Sequence, residues 1–587
     1  VNFKTTAAAT MVVVGLVLGI SSVWNDSAIV DEIPHIGAGY SYITKGDNRL
    51  NPEHPPLAKD LAGIGLQFVH VNGDAFNSRF WNDDLNGQWE FGKKLIYGSG
   101  NDAVKLIRAA KLPLFLFFIF CAFLIWKFTR KIYGENAAML ATFLFAFSPT
   151  VIAHSRFVTT DMAALFGVMI GSYFFFKYLQ SPTRKNFILA GIFFGVAQLC
   201  KFSVFLLAPY FVVLALLYAF LFGKKHPFRE AGTKLLFTIL IMMIGYIFVV
   251  WPVYYVQNRN YPVERQKAET KILLSTHGNK PLVAFVNYFS DKPVVRAMAN
   301  YGLGFLMVTQ RATGGNTTYF MGDVRNWAWP QYFPIVYFLK EPLPFWIMLA
   351  GVALFFSVRL KKPSFNYKRI TEHFRNHFIE YAMLLWLAIY WATSIKSNLN
   401  IGVRHLMPVY GFTFILLSGQ IGKIYTLLKN KAKAVNAFVL ILAALMCWYV
   451  YENISVYPYY LTYFNQVAGG PAGGSRYVVD SNLDWGQDLK RLSDWANASG
   501  ADNIYFDYFG WADPKYYLGD KIHSLSSGNY MSKSEFLKVN PNGGYMAISA
   551  SFYRGSIQDP ATSYAWLENY KPETIIGNSI YVWKFMP

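Results

Sequence analysis

Two carboxylates, Asp31 and Glu32, stand side by side directly after the first apolar stretch of the chain. The loop they open, DEIPHIGAGYSYITKGDNRLNPEHPPLAK, runs through Gly, Asn and Pro turns to a second polar cluster at Glu53 and His54. A carboxylate at the water-facing rim of an apolar cavity has its proton affinity raised and can draw a proton from a hydroxyl. That chemistry joins a sugar to an alcohol with inversion: the base works on one face while a leaving group departs from the other. Taken singly, either residue also reads as a helix cap at a membrane interface. Glu53 and His54, with His35 nearby, further read as ligands for a divalent metal, although no two-histidine helical motif accompanies them.

Groups suited to a phosphate lie elsewhere. The run SPTVIAHSRFVTTDM carries His154, Ser155, Arg156 and Asp161, and the planar fork of Arg156 can bind two phosphate oxygens at once. Asp161 opens the next apolar run, where a plain N-terminal cap is the other reading. Lys201 interrupts the apolar stretch 187–222, and Arg404 and His405 precede a late one in NIGVRHLMP. Snorkelling of a long basic side chain to the interface is the alternative for Lys201 and Arg404. Asp83 and Asp84 read as a helix cap before they read as metal ligands.

Apolar sequence must position these residues. Of 587 residues, 54% are hydrophobic, 18% aromatic and 15% charged, and apolar runs of about 18 residues recur, which excludes a soluble protein built around one core. Caps, Pro breaks and charges divide the runs into about eleven spans. They lie near 7–23, 108–126, 136–152, 162–179, 187–200, 203–222, 235–252, 343–358, 379–395, 406–420 and 434–450. The cut at Lys201 is the weakest, since 187–200 is short for a crossing.

The net charge of +20 does not point to nucleic acid. Lys and Arg collect at alternate turns, in KFTRKIYGE, KYLQSPTRKN, GKKHPFREAGTK, RLKKPSFNYKRITEHFRNH and GKIYTLLKNKAKA, where the positive-inside bias places them in the cytoplasm with the N-terminus. Residues 24–107, 253–342 and 451–587 then share the opposite side with the turns at Arg156, Lys201 and Arg404. This gives a transmembrane unit at 1–450 and an extracytoplasmic unit at 451–587. Cys121, Cys200 and Cys447 sit in apolar spans as small hydrophobes. The first span has the length of a signal peptide but no small-x-small cleavage site before Asp31, so it reads as helix one. Val1 reads as an alternative start codon, hence a bacterial or archaeal gene. Asn316, Asn453 and Asn497 begin sequons.

The tail has the pattern of a small α/β unit: RYVVD as a strand, a helix with Leu and Trp at helical spacing, then the alternating strand NIYFDYFG. The outer loop at 311–332 mixes Gly turns with Tyr, Phe and Trp, as either an acceptor groove or a surface resting on the bilayer. No internal repeat is visible, which counts against the inverted-repeat architecture of transporters.

The first outer loop, SPTVIAHSRFVTTD, LCKFSVFLLAPY, IGVRHLMPVY and YFNQVAGGPAGGSRYVVDSNLDWGQDLK together resemble the dolichyl-phosphate-mannose protein mannosyltransferase-like enzymes. These are the polyprenyl-phosphate-dependent glycosyltransferases of families 39 and 83. The resemblance implies the multi-span membrane all-α GT-C fold, here with about eleven transmembrane helices and the small C-terminal α/β domain. It further implies a hexose carried on undecaprenyl or dolichyl monophosphate and transferred with inversion to an acceptor hydroxyl on protein, lipid or cell-surface glycan. By position, Asp31 matches the family's proposed base with Glu32 beside it, and Arg156 and Arg404 match arginines that engage donor phosphate or acceptor. Glu53 lies in a setting like that of a metal-holding Glu in the related aminoarabinose transferases. The loop 253–342 is too short for the β-trefoil insert of eukaryotic protein mannosyltransferases, which leaves lipid and glycan acceptors open. The setting implied is a prokaryotic cytoplasmic membrane. An oligosaccharyltransferase is the alternative within the class, but the chain lacks its Trp-Trp-Asp motif; a transporter would want its charges at mid-membrane.

Overall fold

The computed structural model describes residues 3–223, 226–359 and 367–587. Lys224, Lys225 and residues 360–366, which belong to two of the basic loops, lie outside the described residues. Among the described residues eight helices are long and apolar enough to cross a bilayer: Phe3–Ser22, Ala103–Tyr133, Asp161–Gln180, Phe202–Phe222, Pro227–Gln257, Phe378–Lys396, Val403–Leu428 and Ala432–Ser455. Two further pairs reach that length only when joined. Glu135–Ala146 meets Pro149–Ser155 at 61°, and Tyr332–Lys340 meets Leu343–Ser357 at 111°.

By length and composition the candidate spans number eight to ten among the described residues, against the expected eleven. The stretch at 187–200 is the helix Arg184–Gln198, of 15 residues; at 1.5 Å per residue it covers roughly 22 Å of a ~30 Å hydrocarbon core. Both bends have local causes. Pro149 cannot continue the preceding helix, and Ser148 starts a new one by accepting a hydrogen bond from the Val151 N–H at 3.2 Å. Pro342 and Pro344 bracket the start of Leu343–Ser357 in the same way.

The loop between the first two spans folds on close backbone contact. The helices Glu32–Lys45 and Leu57–Leu66 cross at Gly39 and Gly63: a Cβ on Gly39 would lie 2.1 Å from the Lys59 carbonyl oxygen, and one on Gly63 would lie 2.2 Å from that of Gly39. Only glycine permits that approach. The crossing sets Asp31 at the head of one helix and Glu53-His54 in the turn before the other. The buried ammonium of Lys59 fixes this turn, 2.7–3.1 Å from Tyr42 Oη, the Asn51 carbonyl and side-chain oxygens, and the His54 carbonyl.

A short hairpin, β1 (Thr318–Phe320) and β2 (Asp323–Arg325), lies in the loop 253–342. The tail carries β3 (Ile504–Asp507), β4 (Ile522–Ser524), β5 (Gly544–Ser549), β6 (Thr574–Ile576) and β7 (Ile580–Phe585) in the order β4-β3-β5-β7-β6. β3 runs parallel to β4 and β5, while β7 is antiparallel to β5 and β6. The helix Leu489–Ser499 buries Leu489, Leu492 and Ala496 with Ile504, Phe506, Ala547 and Val582 of the sheet. The expected helix and second strand are there, but RYVVD is not a strand. Val478 makes one isolated bridge to Phe320 and Asp480–Asn482 is a 3-10 turn. The Asp480 N–H is taken by Ser551 Oγ at 3.0 Å, so this backbone is satisfied outside any ladder. Tyr460, Tyr463, Phe464, Val478 and Leu483 join the same buried apolar cluster as Val151, Val403 and Met407, so the start of the tail packs into the helical bundle.

Candidate functional site

A cavity of about 250 Å3 opens where the loop after the first span, the head of Phe202–Phe222, the end of Arg296–Gly314 and the turn before Met407–Leu428 meet. Asp31, His35, Glu53, His54, Lys201, Arg311, Arg404 and His405 line it, over an apolar floor that includes Phe202, Leu206, Met307, Val308 and Phe333. The charges alternate in a chain. Lys201 Nζ donates to Asp161 Oδ1 at 2.6 Å, Arg404 Nη1 lies 3.8 Å from Asp161 Oδ2, and the same nitrogen donates to Asp31 Oδ2 at 2.6 Å. Asp161 itself is buried behind the wall and joins the two cations.

The tail aims Arg404. The indole of Trp485 lies beneath its guanidinium, 4.1 Å from ring centre to Cζ, a cation–π contact that holds the planar group flat. The Val403 N–H donates to Asn482 Oδ1 at 2.9 Å, and Ser481 Oγ donates to the Ile401 carbonyl at 2.6 Å. Buried Lys340 anchors that stretch of tail, donating to the Leu461 and Asn482 carbonyls at 2.8 and 2.7 Å. The turn 401–404 is thus held by DSNLDW, a segment about 80 residues further on.

Several polar atoms on the cavity's lining residues are buried without a partner: Glu53 Oε2, Thr159 Oγ1, Ser203 Oγ, Arg404 Nε and His405 Nε2. Buried polar groups are normally satisfied, and these five belong to residues that line one cavity. Burial pushes the Asp31 carboxyl up, but Arg404, with help from His35, outweighs it and holds the group below the usual carboxylate range. Burial pulls His54 well below an ordinary histidine, with His35, Lys59 and Lys201 adding to it. Burial also lowers His35, against the pull of Asp31. Its Nδ1 donates to the Val158 carbonyl at 2.7 Å, and its ring meets that of His54 edge-on with centroids 5.1 Å apart.

The sequence-predicted residues divide between this cavity and its supports. Asp31, Lys201, Arg404, His405, Glu53 and His54 line the cavity, with Asp161 directly behind. Glu32 does not reach it. Its carboxylate turns inward to accept from the Val158 and Ile29 N–H groups at 2.9 and 3.0 Å and to pair with Lys111 at 3.1 Å. Burial raises it, opposed first by Lys111. Arg156 is buried too, 3.2 Å from Asp26, whose other oxygen accepts from Arg491 at 2.7 Å. That network ties the end of Phe3–Ser22 to the tail and leaves Arg156 outside the cavity lining. His154 is buried between the two places, with both ring nitrogens unpartnered. Glu53 and His54 are not joined by further ligands: no group of three or more His, Cys, Asp or Glu is placed to hold a metal ion among the described residues. Glu53 Oε1 accepts from Gln88 Nε2 at 2.8 Å.

Arg311 is a cavity residue that its charge and position in the sequence do not announce. It lies near the end of the helix Arg296–Gly314, which lines the cavity with Met307, Val308, Arg311 and Ala312. Their spacing of one, three and one is a helical face, the signal that marks them in sequence.

A family model described as dolichyl-phosphate-mannose-protein mannosyltransferase matches residues 103–251. Among solved structures, the protein O-mannosyltransferase complex of S. cerevisiae bound to its sugar donor superposes with a TM-score of 0.53 at 12% identity, over 78% of this chain and 90% of that one. ArnT from Cupriavidus metallidurans bound to undecaprenyl phosphate aligns over 98% of each chain at 13% identity, with a TM-score of 0.42. No curated protein matches the chain in sequence. The first structural likeness shows the class to which the architecture belongs: a multi-span, largely helical membrane fold shared with protein O-mannosyltransferase, here with a small C-terminal mixed sheet.

Proposed function

We propose that this chain is an inverting glycosyltransferase that takes a hexose from a polyprenyl monophosphate and passes it to an acceptor hydroxyl at the outer face of a prokaryotic cytoplasmic membrane. The observation that carries the proposal is the cavity in which the carboxylate of Asp31 and the cations Arg404, Lys201 and Arg311 meet over an apolar floor. The family match over the membrane helices and the fold likeness support the same reading. A lipid-linked donor needs an apolar slot for the first isoprene units, cations for the phosphate, and a base on the far side of the sugar. The leaving group is already a phosphate, so it needs positive charge rather than a strong acid.

In the free protein Arg404 is paired with Asp31. When donor phosphate enters, it competes for Arg404 and Lys201, and the arginine turns from Asp31 towards the phosphate. Losing its cation raises the proton affinity of Asp31, so donor binding turns a poor base into a better one as the acceptor hydroxyl arrives. The hydroxyl oxygen then bonds to the anomeric carbon, the carbon–oxygen bond to phosphate breaks, Asp31 takes the hydroxyl proton, and polyprenyl phosphate leaves on the cations. Purified protein carrying Asp31→Asn, given a polyprenyl-phosphate hexose and a cell-envelope acceptor, tests the reading; transfer at the wild-type rate removes Asp31 as the base.

A further inference from the structure

The bundle has a second cavity, of about 510 Å3, that the proposed reaction does not use. It lies at the opposite end of the helices. Asp161–Gln180 starts with Asp161 behind the wall of the first cavity, paired with its Lys201, and brings Lys177 and Gln180 to the second. Phe378–Lys396 brings Tyr390 and Ser394 to the first and Phe378 and Glu380 to the second, and Met407–Leu428, which begins just after Arg404, brings Lys423. A helix of 20 residues spans ~30 Å, so the two cavities face opposite leaflets. The second sits among the loops where Lys and Arg concentrate, the end the positive-inside bias assigns to the cytoplasm.

Its chemistry has two halves. Phe128, Tyr173, Phe176, Tyr218, Phe222 and Phe378 give it an aromatic floor. Lys131, Lys177, Arg375 and Lys423 stand on the rim with Glu380 as the single carboxylate among the described lining residues. Glu380 is already used, by Lys423 at 2.6 Å and by His377. Lys131 donates to the neutral Gln180 amide at 2.8 Å and Arg375 to the Leu221 carbonyl. Lys131, Lys177 and Arg375 thus have no carboxylate partner among the described residues. Three uncompensated cations above an aromatic slot between membrane helices match an anionic phosphodiester whose acyl chains enter the slot, and basic pockets of this kind on the cytoplasmic side hold lipid headgroups. Inorganic phosphate would satisfy the rim but leave the aromatic floor unused.

We propose that this cavity binds the headgroup and upper acyl chain of an anionic phospholipid of the cytoplasmic leaflet, as a site separate from the donor cavity. The proposal rests on the geometry of the second cavity and stands or falls independently of the transferase reading. The test is native mass spectrometry of delipidated full-length protein re-exposed to phosphatidylglycerol or phosphatidylcholine. The triple variant Lys131→Gln, Lys177→Gln, Arg375→Gln is compared with the control Lys429→Gln, Lys431→Gln, Lys433→Gln, which removes the same charge from a neighbouring exposed loop. Wild type and control retain phosphatidylglycerol in preference to phosphatidylcholine, and the cavity variant loses on the order of tenfold or more in apparent affinity. Equal losses in the control, no preference for the anionic lipid in wild type, or equal displacement by millimolar inorganic phosphate would overturn it. A second measurement needs no variant: a photoactivatable phosphatidylglycerol should crosslink wild type within the lining segments 128–133, 173–180, 218–222, 375–380 or at Lys423. Crosslinks confined to other segments would overturn the proposal as well.

Discussion

Replacing Asp31 with Asn keeps the side chain's size and an oxygen that can still accept from Arg404 Nη1, yet it removes the proton acceptor and one negative charge. If Asp31 is the base, kcat falls by about two to four orders of magnitude, the usual contribution of general-base catalysis. The second consequence comes from the ion pair. Asp31 now competes with donor phosphate for Arg404 at 2.6 Å and repels it. Two unit charges about 4 Å apart interact by ~4 kcal/mol at an effective dielectric near 20. The Asp31 side chain is 22% exposed, and Arg404 keeps Asp161 beside it, so the net gain on removing the competitor is ~1–2 kcal/mol after screening. The donor should therefore bind roughly five to thirty times more tightly while turnover collapses. The assay pairs transfer of labelled hexose in nanodiscs with direct binding of the polyprenyl-phosphate sugar. A purely structural Asp31 would weaken donor binding and lower Tm together; unchanged turnover, or weaker donor binding with a lost Tm, refutes the reasoning.

Other perturbations test the supports. Lys111→Met removes the cation beside buried Glu32, a loss of ~3–5 kcal/mol for a buried pair. Burial raises Glu32 even against Lys111, so folding favours its protonated form; that contribution is full at low pH and fades as the pH rises through the folded pKa. Without Lys111 the pKa climbs further, so the Tm deficit of Lys111→Met relative to wild type should be large at pH 8 and shrink towards pH 5, and a constant deficit would contradict this. Trp485→Ala takes away the face beneath Arg404 and should cost donor affinity about tenfold, roughly 1–2 kcal/mol of cation–π and alignment; unchanged donor binding would separate the tail from the site. Gly63→Ala places a methyl 2.2 Å from the Gly39 carbonyl and should lower stability by ~1–3 kcal/mol or more, whereas Gly351→Ala, with nothing within 4 Å, should be neutral or stabilising on a Tm scan.

The end-of-span charges were legible because polar side chains at the edges of apolar runs have few places to go. Asp31, Asp161, Lys201 and Arg404 are spread over more than 370 residues, yet each follows, begins or interrupts an apolar run, and the fold brings all four together. Glu32 and Arg156 look identical to them in one dimension. What distinguishes them is a buried partner distant in sequence: Lys111 for Glu32, Asp26 and the Asp26-bound Arg491 for Arg156. No local pattern carries that information. The small α/β tail was legible from Leu489–Ser499 and the alternation of β3, but RYVVD has strand composition in a segment whose hydrogen bonds go to turns and to Ser551. The span expected at 187–200 is the 15-residue helix Arg184–Gln198, which the chain leaves just before Lys201. Arg311 was hidden because the last turns of Arg296–Gly314, rich in Thr and Gly, read as loop.

A structure of the protein in nanodiscs with a non-transferable phosphonate analogue of the lipid-linked sugar would show whether Arg404 changes partner when donor binds. Phosphonate density should lie within hydrogen-bonding reach of Arg404 and Lys201 in the cavity at the Asp31 end, with the Arg404–Asp31 pair broken and Asp31 facing the sugar's anomeric carbon from the side opposite the phosphonate. Phosphonate bound elsewhere, or bound with Arg404 still closed on Asp31, would contradict the proposed mechanism.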